Sequence, residues 1–374
     1  MVLQKVECWV FRAPVEEPVA NAFGAMTNRP AVFVRLGASD GAWGWGEVFC
    51  NFPQVGAEHR ARLISSIFAP LLEGSSSTDP AVVRTMLALR TRRMAIQCGE
   101  PGPFAQIAGA IDQALWDMAA RRAGVPLWKL LDDEGRGSAR VRVYASGIGQ
   151  AHAVDVASAK RAQGYRAFKL KVGFGIEKDR ECLAALRAAL GAEADIMVDA
   201  NQAWSPAEAP ACIAALAPYR PLWVEEPLAA DEPAAVWRAL AAQVTVPLAA
   251  GENLRGDEAF DTALDAGYLR YVQPDVGKWG GLTGCRALAR RAVARGAVCC
   301  PHWLGGGIGL AASMHLRAAL GPDGFAEVDS NPNPLREEVF ACTPQEGWVT
   351  LSDAPGLGVE PDLARLARYA VNPG

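Results

Sequence analysis

Residues 167–201 read AFKLKVGFGIEKDRECLAALRAALGAEADIMVDAN. A short apolar run, AFKLKVG, opens the stretch, an Ala/Leu/Arg segment with helical spacing follows, and a second short apolar run, DIMVDAN, closes it. Two parallel strands need a dozen or more residues between them, and a crossover helix supplies that span. Working outward, the unit recurs. Strands are expected at VRVYASG (141–147), AFKLKVG (167–173), DIMVDAN (195–201), LWVEEP (222–227), PLAAGE (247–252), YLRYVQPD (268–275), AVCCPH (297–302) and FAEVD (325–329), with starts roughly 20 to 30 residues apart. Eight such units predict an α/β fold, a (β/α)8 TIM-type barrel over 136–330 whose active site lies at the C-terminal ends of the strands.

The flanks read differently. Residues 1–135 predict an α+β lobe, with strands at QKVECWVFR and AVFVRLGASDGAWGWGEV joined by the polar segment Ala13–Pro30. A helix in AIDQALWDMAARRAGVPLWKLL (110–131) should end at Gly124 and Pro126. The Pro- and Gly-rich segment 331–374 is expected to pack back on that first lobe.

Composition excludes several classes. At 374 residues, 51% hydrophobic and 21% charged, the chain buries too much to be disordered and is too long for one simple core. A net charge of −4 without a run of Lys or Arg gives no footprint for nucleic acid or anionic membrane. Nine cysteines without CxxC spacing form neither a zinc site nor a disulfide framework, which suits a reducing cytoplasm. Glu7 interrupts any apolar signal region in MVLQKVECWV, and Pro301 and three glycines break the uncharged run 296–314 as a membrane helix.

The anomalies fall at the strand ends. Lys169 and Lys171 are two apart and share one face of their strand, which we expect to point inward. Asp199, Glu225 and Glu252 end the next three strands, in VDAN, VEEP and AGEN. Three carboxylates on one rim repel, and an all-oxygen set of this kind suits Mg²⁺ better than zinc. Either glutamate of VEEP meets the requirement; Glu225 is preferred for its shared parity with Trp223. His302 ends the seventh strand and Asp275 the sixth, so the two meet as a carboxylate–imidazole pair suited to acid/base work. His59, His152 and His315 read as structural. With a substrate carboxylate on the cation, loss of the α-proton gives an enediolate stabilised by the metal. Lys171 becomes the base if Lys169 and Mg²⁺ lower its pKa.

The motifs FKLKVG, VDANQAW, VEEPL, GEN, QPDVGKWGG and PHWLGGG, in this order, together with AIDQALWD, GWGE and PGLGVE, resemble the enolase superfamily and its mandelate racemase subgroup over nearly the whole chain. The resemblance implies that the first lobe caps the barrel, that Asp199, Glu225 and Glu252 hold Mg²⁺, and that Lys171 is the base. It implies that Lys169 neutralises the substrate carboxylate and that His302 with Asp275 is the second acid/base group. Glu327 would reach the substrate, Asn201 would sit beside the metal, and Lys278 follows Asp275 as in the family. Substrate choice would come from the loops Ala20–Pro30 and Phe49–Pro53, where Arg29 is a candidate for a second carboxylate or hydroxyls. Phe23, Met26, Phe49 and Phe52 would add apolar surface and Trp204 and Trp303 would line the pocket, with Asn331, Asn333 and Arg336 behind it. The expected partner is a small carboxylate, a hydroxy acid or acid sugar, in a homodimer or octamer. Dehydration of an acid sugar to a 2-keto-3-deoxy acid ranks first, ahead of racemisation or epimerisation and of lactone cycloisomerisation. A non-catalytic binding relative and a metal-dependent aldolase rank below these.

Overall fold

The computed structural model describes residues 1–21 and 24–372. Strands β1 (Leu3–Asn21), β2 (Gly24–Ala38) and β3 (Trp43–Val48) run antiparallel in that order. The described residues of Ala13–Pro30, expected as a polar connection, instead belong to the hairpin: Ala13 pairs with Arg29 and Pro14 with Asn28, and pairing resumes after a register shift at Val19 and Met26. A ladder already in register carries polar residues along with it, because its backbone groups need partners whatever the side chains are. Phe23 lies outside the described residues.

The helix Pro101–Ala123 packs across β3 and ends at Gly124 as expected, but begins nine residues before the expected helical segment. Pro101, Gly102, Pro103 and Gly109 hide its first turns from a periodicity reading. Glycines 44 and 46 set the contact. A Cβ on either would lie within about 2.0 Å of the carbonyl oxygen of Ala114 or Ala110, so only glycine lets the strand rest on the helix backbone.

Eight parallel strands follow: β4 (Arg140–Ile148), β5 (Ala167–Lys171), β6 (Asp195–Asp199), β7 (Val224–Glu225), β8 (Leu248–Ala250), β9 (Tyr271–Val272), β10 (Val298–Cys299) and β11 (Ala326–Asp329). They are ordered β10-β9-β8-β7-β6-β5-β4-β11, the curled parallel sheet of a (β/α)8 barrel. The run 296–314 resolves into β10, a glycine-rich turn and the buried helix Gly307–Ala318. No helix among the described residues is long and apolar enough to cross a membrane.

Beyond the barrel, β12 (Trp348–Thr350) pairs antiparallel with β4, and β13 (Ala370–Val371) pairs with Val10 and Phe11 of β1. The C-terminal segment thus touches both lobes.

Inward-pointing residues fill the barrel in layers. Its floor is an apolar cluster of Tyr144, Ala167, Met197, Trp223, Ala249, Cys300 and Phe325, all buried. Two residues further along their strands, the same parity places Lys169, Asp199 and Glu225. The fold therefore raises a charged layer directly onto an apolar floor.

Candidate active site

Strand register brings the charges level. Lys171 is the lateral partner of Asp199, Asp199 that of Glu225, and Glu225 that of Ala249, three residues before Glu252. A parallel bridge sets Asp275 beside His302. One rim thus holds two lysines, a histidine and four carboxylates.

Lys169 is 1% exposed, with Nζ 2.6 Å from Glu225 Oε1, 2.8 Å from Glu327 Oε1 and 3.8 Å from Asp199 Oδ2. Burial opposes its charge, yet Glu225 and Glu327 outweigh burial and hold the ammonium well above the usual lysine value. Lys171 donates to Asp199 Oδ2 at 2.6 Å and to Asn201 Oδ1 at 2.7 Å. Its pKa is also raised, because Asp199 prevails over burial and over the neighbouring Lys169 ammonium. The depression that base chemistry needs is therefore not built by the protein's own charges while Asp199 faces the amine.

His302 is fixed at both nitrogens. Nδ1 lies 2.6 Å from Asp275 Oδ2, and Nε2 meets Glu252. Asp275 accepts from the backbone N–H of Gly277 and Lys278, which orients its other oxygen. Burial works against the imidazolium, but Glu252, Glu327 and Asp275 push the histidine up to about 10. Glu252, engaged by His302 and by Lys278 at 3.4 Å, is held well below the usual carboxylate range. Glu225 goes the other way, to about 7: burial raises it, Lys169 opposes, and Asp199, Glu327 and Glu252 add repulsion.

That repulsion bears on a metal. Asp199, Glu225 and Glu252 are hard oxygen donors on three successive strands, buried and close enough to perturb one another, so their chemistry fits a divalent cation with oxygen preference. Among the described residues they are not gathered into a three-ligand cage. Each is turned onto a cationic side chain instead: Asp199 onto Lys171, Glu225 onto Lys169, and Glu252 onto His302. Glu226, the other glutamate of VEEP, is held by Gln202 and Asn253.

A cavity of about 670 Å³ opens above this layer, and Lys171, Asn201, Glu252, Lys278 and His302 line it together with Phe49 and Phe52 from the first lobe. Some expected residues are elsewhere. Arg29 is 3% exposed and ion-paired through Nη2 with Asp329, joining β2 to the end of β11, and it does not line the cavity. Trp303 also lies beneath the surface, its N–H donating to Glu327 Oε2 and its indole Nε1 to the Gly306 carbonyl. Glu327, 4% exposed, is held by Lys169, Ser146 and Trp303, one layer behind the cavity wall. Trp204 and Met26 are buried away from it, and Asn331 and Arg336 brace Asp329. His315 accepts from Trp128 N–H and is lowered to about 4 by burial, a neutral structural residue.

The sequence reading missed Glu47, the glutamate of GWGE. It is 1% exposed and crosses from β3 to accept from the N–H groups of Gly306 and Gly309, at the start of the helix Gly307–Ala318 that follows His302. Burial pushes its carboxyl up to about 8. Arg60 and Arg255, both on the cavity wall, were also missed. The signal that could have found Glu47 was its place in GWGE; an isolated arginine in a polar helix or loop carries no such signal.

Comparison with known proteins agrees with this architecture. Residues 5–132 match the mandelate racemase/muconate lactonizing enzyme N-terminal domain, and residues 152–365 the enolase C-terminal domain-like family. A D-galactarolactone cycloisomerase from Agrobacterium fabrum is 31% identical over 99% of both chains. Among solved structures, a mandelate racemase/muconate lactonizing enzyme from Bordetella bronchiseptica RB50 superposes with a TM-score of 0.92 at 49% identity over 99% of each chain. A racemase from Streptomyces coelicolor A3(2) with bound magnesium gives 0.87 at 30% identity, over 99% of this chain and 100% of that one.

Proposed function

The chain belongs to the mandelate racemase/muconate lactonizing enzyme family of the enolase superfamily, and from that premise we propose that it is a Mg²⁺-dependent isomerase that opens a sugar-acid lactone after removing the proton α to a carboxylate. One observation carries the reading: Lys171, at the end of β5, and His302, just past β10, line a single cavity from well-separated strands of the sheet. Two proton-transfer groups then address one carbon skeleton from different sides. Sequence reasoning ranked dehydration first. The first step is common to both reactions, and the named cycloisomerase relative supports placing ring opening ahead of it.

Asp199, Glu225 and Glu252 would hold the cation. A cation held there would supply positive charge against the dianion left when the α-proton departs, and Asp199, as one of its ligands, would then face Lys171 with less net charge. Lys169, wedged between Glu225 and Glu327, stays an ammonium and offsets the charge of the substrate carboxylate. Asn201 holds the Lys171 amine on its other side and keeps Nζ aimed along the cavity. Lys171 accepts the α-proton; the bond from the β-carbon to the ring oxygen breaks, and its electron pair leaves with that oxygen as the new carboxylate. His302, oriented through Nδ1 by Asp275, faces the skeleton with Nε2 and returns a proton as the enol becomes a 2-keto acid. No atom is lost, so the net change is isomerisation. With a free β-hydroxyl in place of the ring oxygen, the same residues would expel water.

The test is incubation with a panel of sugar-acid lactones and open-chain sugar acids in the presence of Mg²⁺, followed by proton NMR. The reading expects a 2-keto-3-deoxy acid from a lactone without loss of water. Product only from open-chain hydroxy acids, or none at all, would overturn it.

A further inference from the structure

Asp275 and His302 end neighbouring strands, and the chain behind each of them is gripped by the first lobe. Behind Asp275 the grip comes from the helix Pro101–Ala123. Gln113, fully buried on that helix, donates through Nε2 to the Val276 carbonyl at 3.1 Å. Gly109, one turn earlier on the same face, approaches the same carbonyl: an added Cβ there would lie 2.9 Å from it. Asp112 accepts from the backbone N–H of Thr283 at 2.9 Å and from its hydroxyl at 2.5 Å, in the first turn of the helix Gly281–Ala294.

Behind His302 the grip comes from β3 and the residues after it. Glu47 accepts from Gly306 and Gly309, and Asn51 Nδ2 donates to the Leu304 carbonyl at 2.6 Å. The two grips meet in one side chain. Gln113 Oε1 accepts from the Glu47 N–H at 3.1 Å, and its Nε2 donates to the Glu47 carbonyl at 3.2 Å as well as to Val276. Every polar atom of the Gln113 amide is thus used to tie the strand that holds the His302 loop to the loop that carries Asp275. Trp303 fills the space between the two loops, since a Cβ added to Gly277 would lie 2.6 Å from its ring and one added to Gly305 2.5 Å from it.

We propose that Gln113 is a positioning residue that fixes the Asp275–His302 pair from the first lobe, with Glu47 and Asn51 as its arms on the His302 side. The hydrogen bond from His302 Nδ1 to Asp275 Oδ2 is 2.6 Å long, so a relative slip of the two loops by about 1 Å stretches it to about 3.6 Å, beyond hydrogen-bonding range. Freed from Asp275, the imidazole loses its orientation toward the cavity. The kinetic consequence rests on the reading of His302 as a proton-transfer group; the structural one does not.

The experiment compares Gln113→Met with Asp117→Asn in the Mg²⁺-loaded protein. Asp117, on the same helix and as deeply buried, accepts instead from the N–H groups of Trp45 and Leu357, so its variant is destabilised without touching either loop. The His302 Nδ1 proton, held against Asp275, should give a proton NMR resonance far downfield of the amides, assigned by its loss in His302→Asn. It should move upfield or vanish into exchange with solvent in Gln113→Met and keep its wild-type position in Asp117→Asn. If Gln113→Met does not fold, Asn51→Ala, which releases only the Leu304 carbonyl, carries the same test. On an accepted substrate Gln113→Met should lower kcat by about 10- to 100-fold with KM little changed. Deuterium uptake at Cα through Lys171 should persist, so the ratio of exchange to turnover rises, whereas a protein that is merely unstable loses both in proportion. A downfield resonance unmoved by the variant, one disturbed equally by Asp117→Asn, or none in the wild type overturns the proposal. If no substrate turns over, the proposed reaction fails, and the resonance still decides the role of Gln113.

Discussion

Replacing Glu47 with glutamine tests whether the lobes are joined through a carboxyl group that stays neutral near physiological pH. Glu47 is buried and reaches from β3 to the loop behind His302, and burial raises its pKa from 4.5 to about 8. The unfolded chain releases this proton near 4.5 and the folded chain keeps it until about 8. Between those values the folded state binds more protons, so the stability attributable to Glu47 is fully present below the lower value and falls as pH rises through the window. Each pH unit costs about 1.4 kcal/mol, an upper limit of roughly 5 kcal/mol over the window. The amide in Glu47→Gln has no proton to lose. It also loses an acceptor for the N–H of Gly306 or Gly309, a constant penalty of about 1–3 kcal/mol. Urea unfolding followed by circular dichroism at pH 5, 6.5 and 8 separates the two effects. The variant should be less stable at pH 5, and the gap should close and then reverse by pH 8, because three pH units at about 1.4 kcal/mol each outweigh that penalty. Asp112, pushed up to about 7 by burial beside Thr283, adds its own slope to both proteins and cancels in the difference. A constant gap across the three pH values would refute the reasoning.

Further outcomes follow from the same contacts. Arg29→Met leaves Asp329 buried without its main partner, and should cost about 3–5 kcal/mol in denaturant unfolding while leaving KM for any accepted substrate nearly unchanged. A large rise in KM would return Arg29 to the binding site. Asp275→Asn removes the acceptor that orients His302 and should lower kcat by about 10²- to 10⁴-fold with little change in melting temperature. Chelation with EDTA should lower the melting temperature and abolish turnover, and added Mg²⁺ should restore both, because a cation bound only by the folded state stabilises it. A melting temperature indifferent to EDTA and Mg²⁺ would count against the three carboxylates as a metal site.

How much of this was legible in the sequence depended on periodicity and motif. The barrel strands were readable because buried parallel strands repeat as apolar runs, and the parity of two placed Lys169, Lys171, Asp199 and Glu225 on one inner face. The pairing of His302 with Asp275 followed from neighbouring strands ending level. The hairpin through Ala13–Pro30 was not readable, since its polar residues continue a ladder set by the backbone. Arg29 was misplaced for a related reason: a charged residue near an expected loop looks available, and its partner Asp329 lies 300 positions away. Arg60 and Arg255 gave no signal, because their places on the cavity wall depend on meeting the helix Pro101–Ala123 in space. The pKa of Lys171 was likewise not readable: Asp199 holds it up, where the expectation had Lys169 together with Mg²⁺ lowering it.

The central claim is most directly tested by exchange at the α-carbon. A hydroxy-acid or lactone substrate incubated in D₂O with Mg²⁺ should take up deuterium at Cα with the wild type. Exchange should slow by about 10²- to 10⁴-fold in Lys171→Met and stop when the divalent ion is removed. Deuterium uptake that persists without Lys171, or without any divalent ion, would contradict the account.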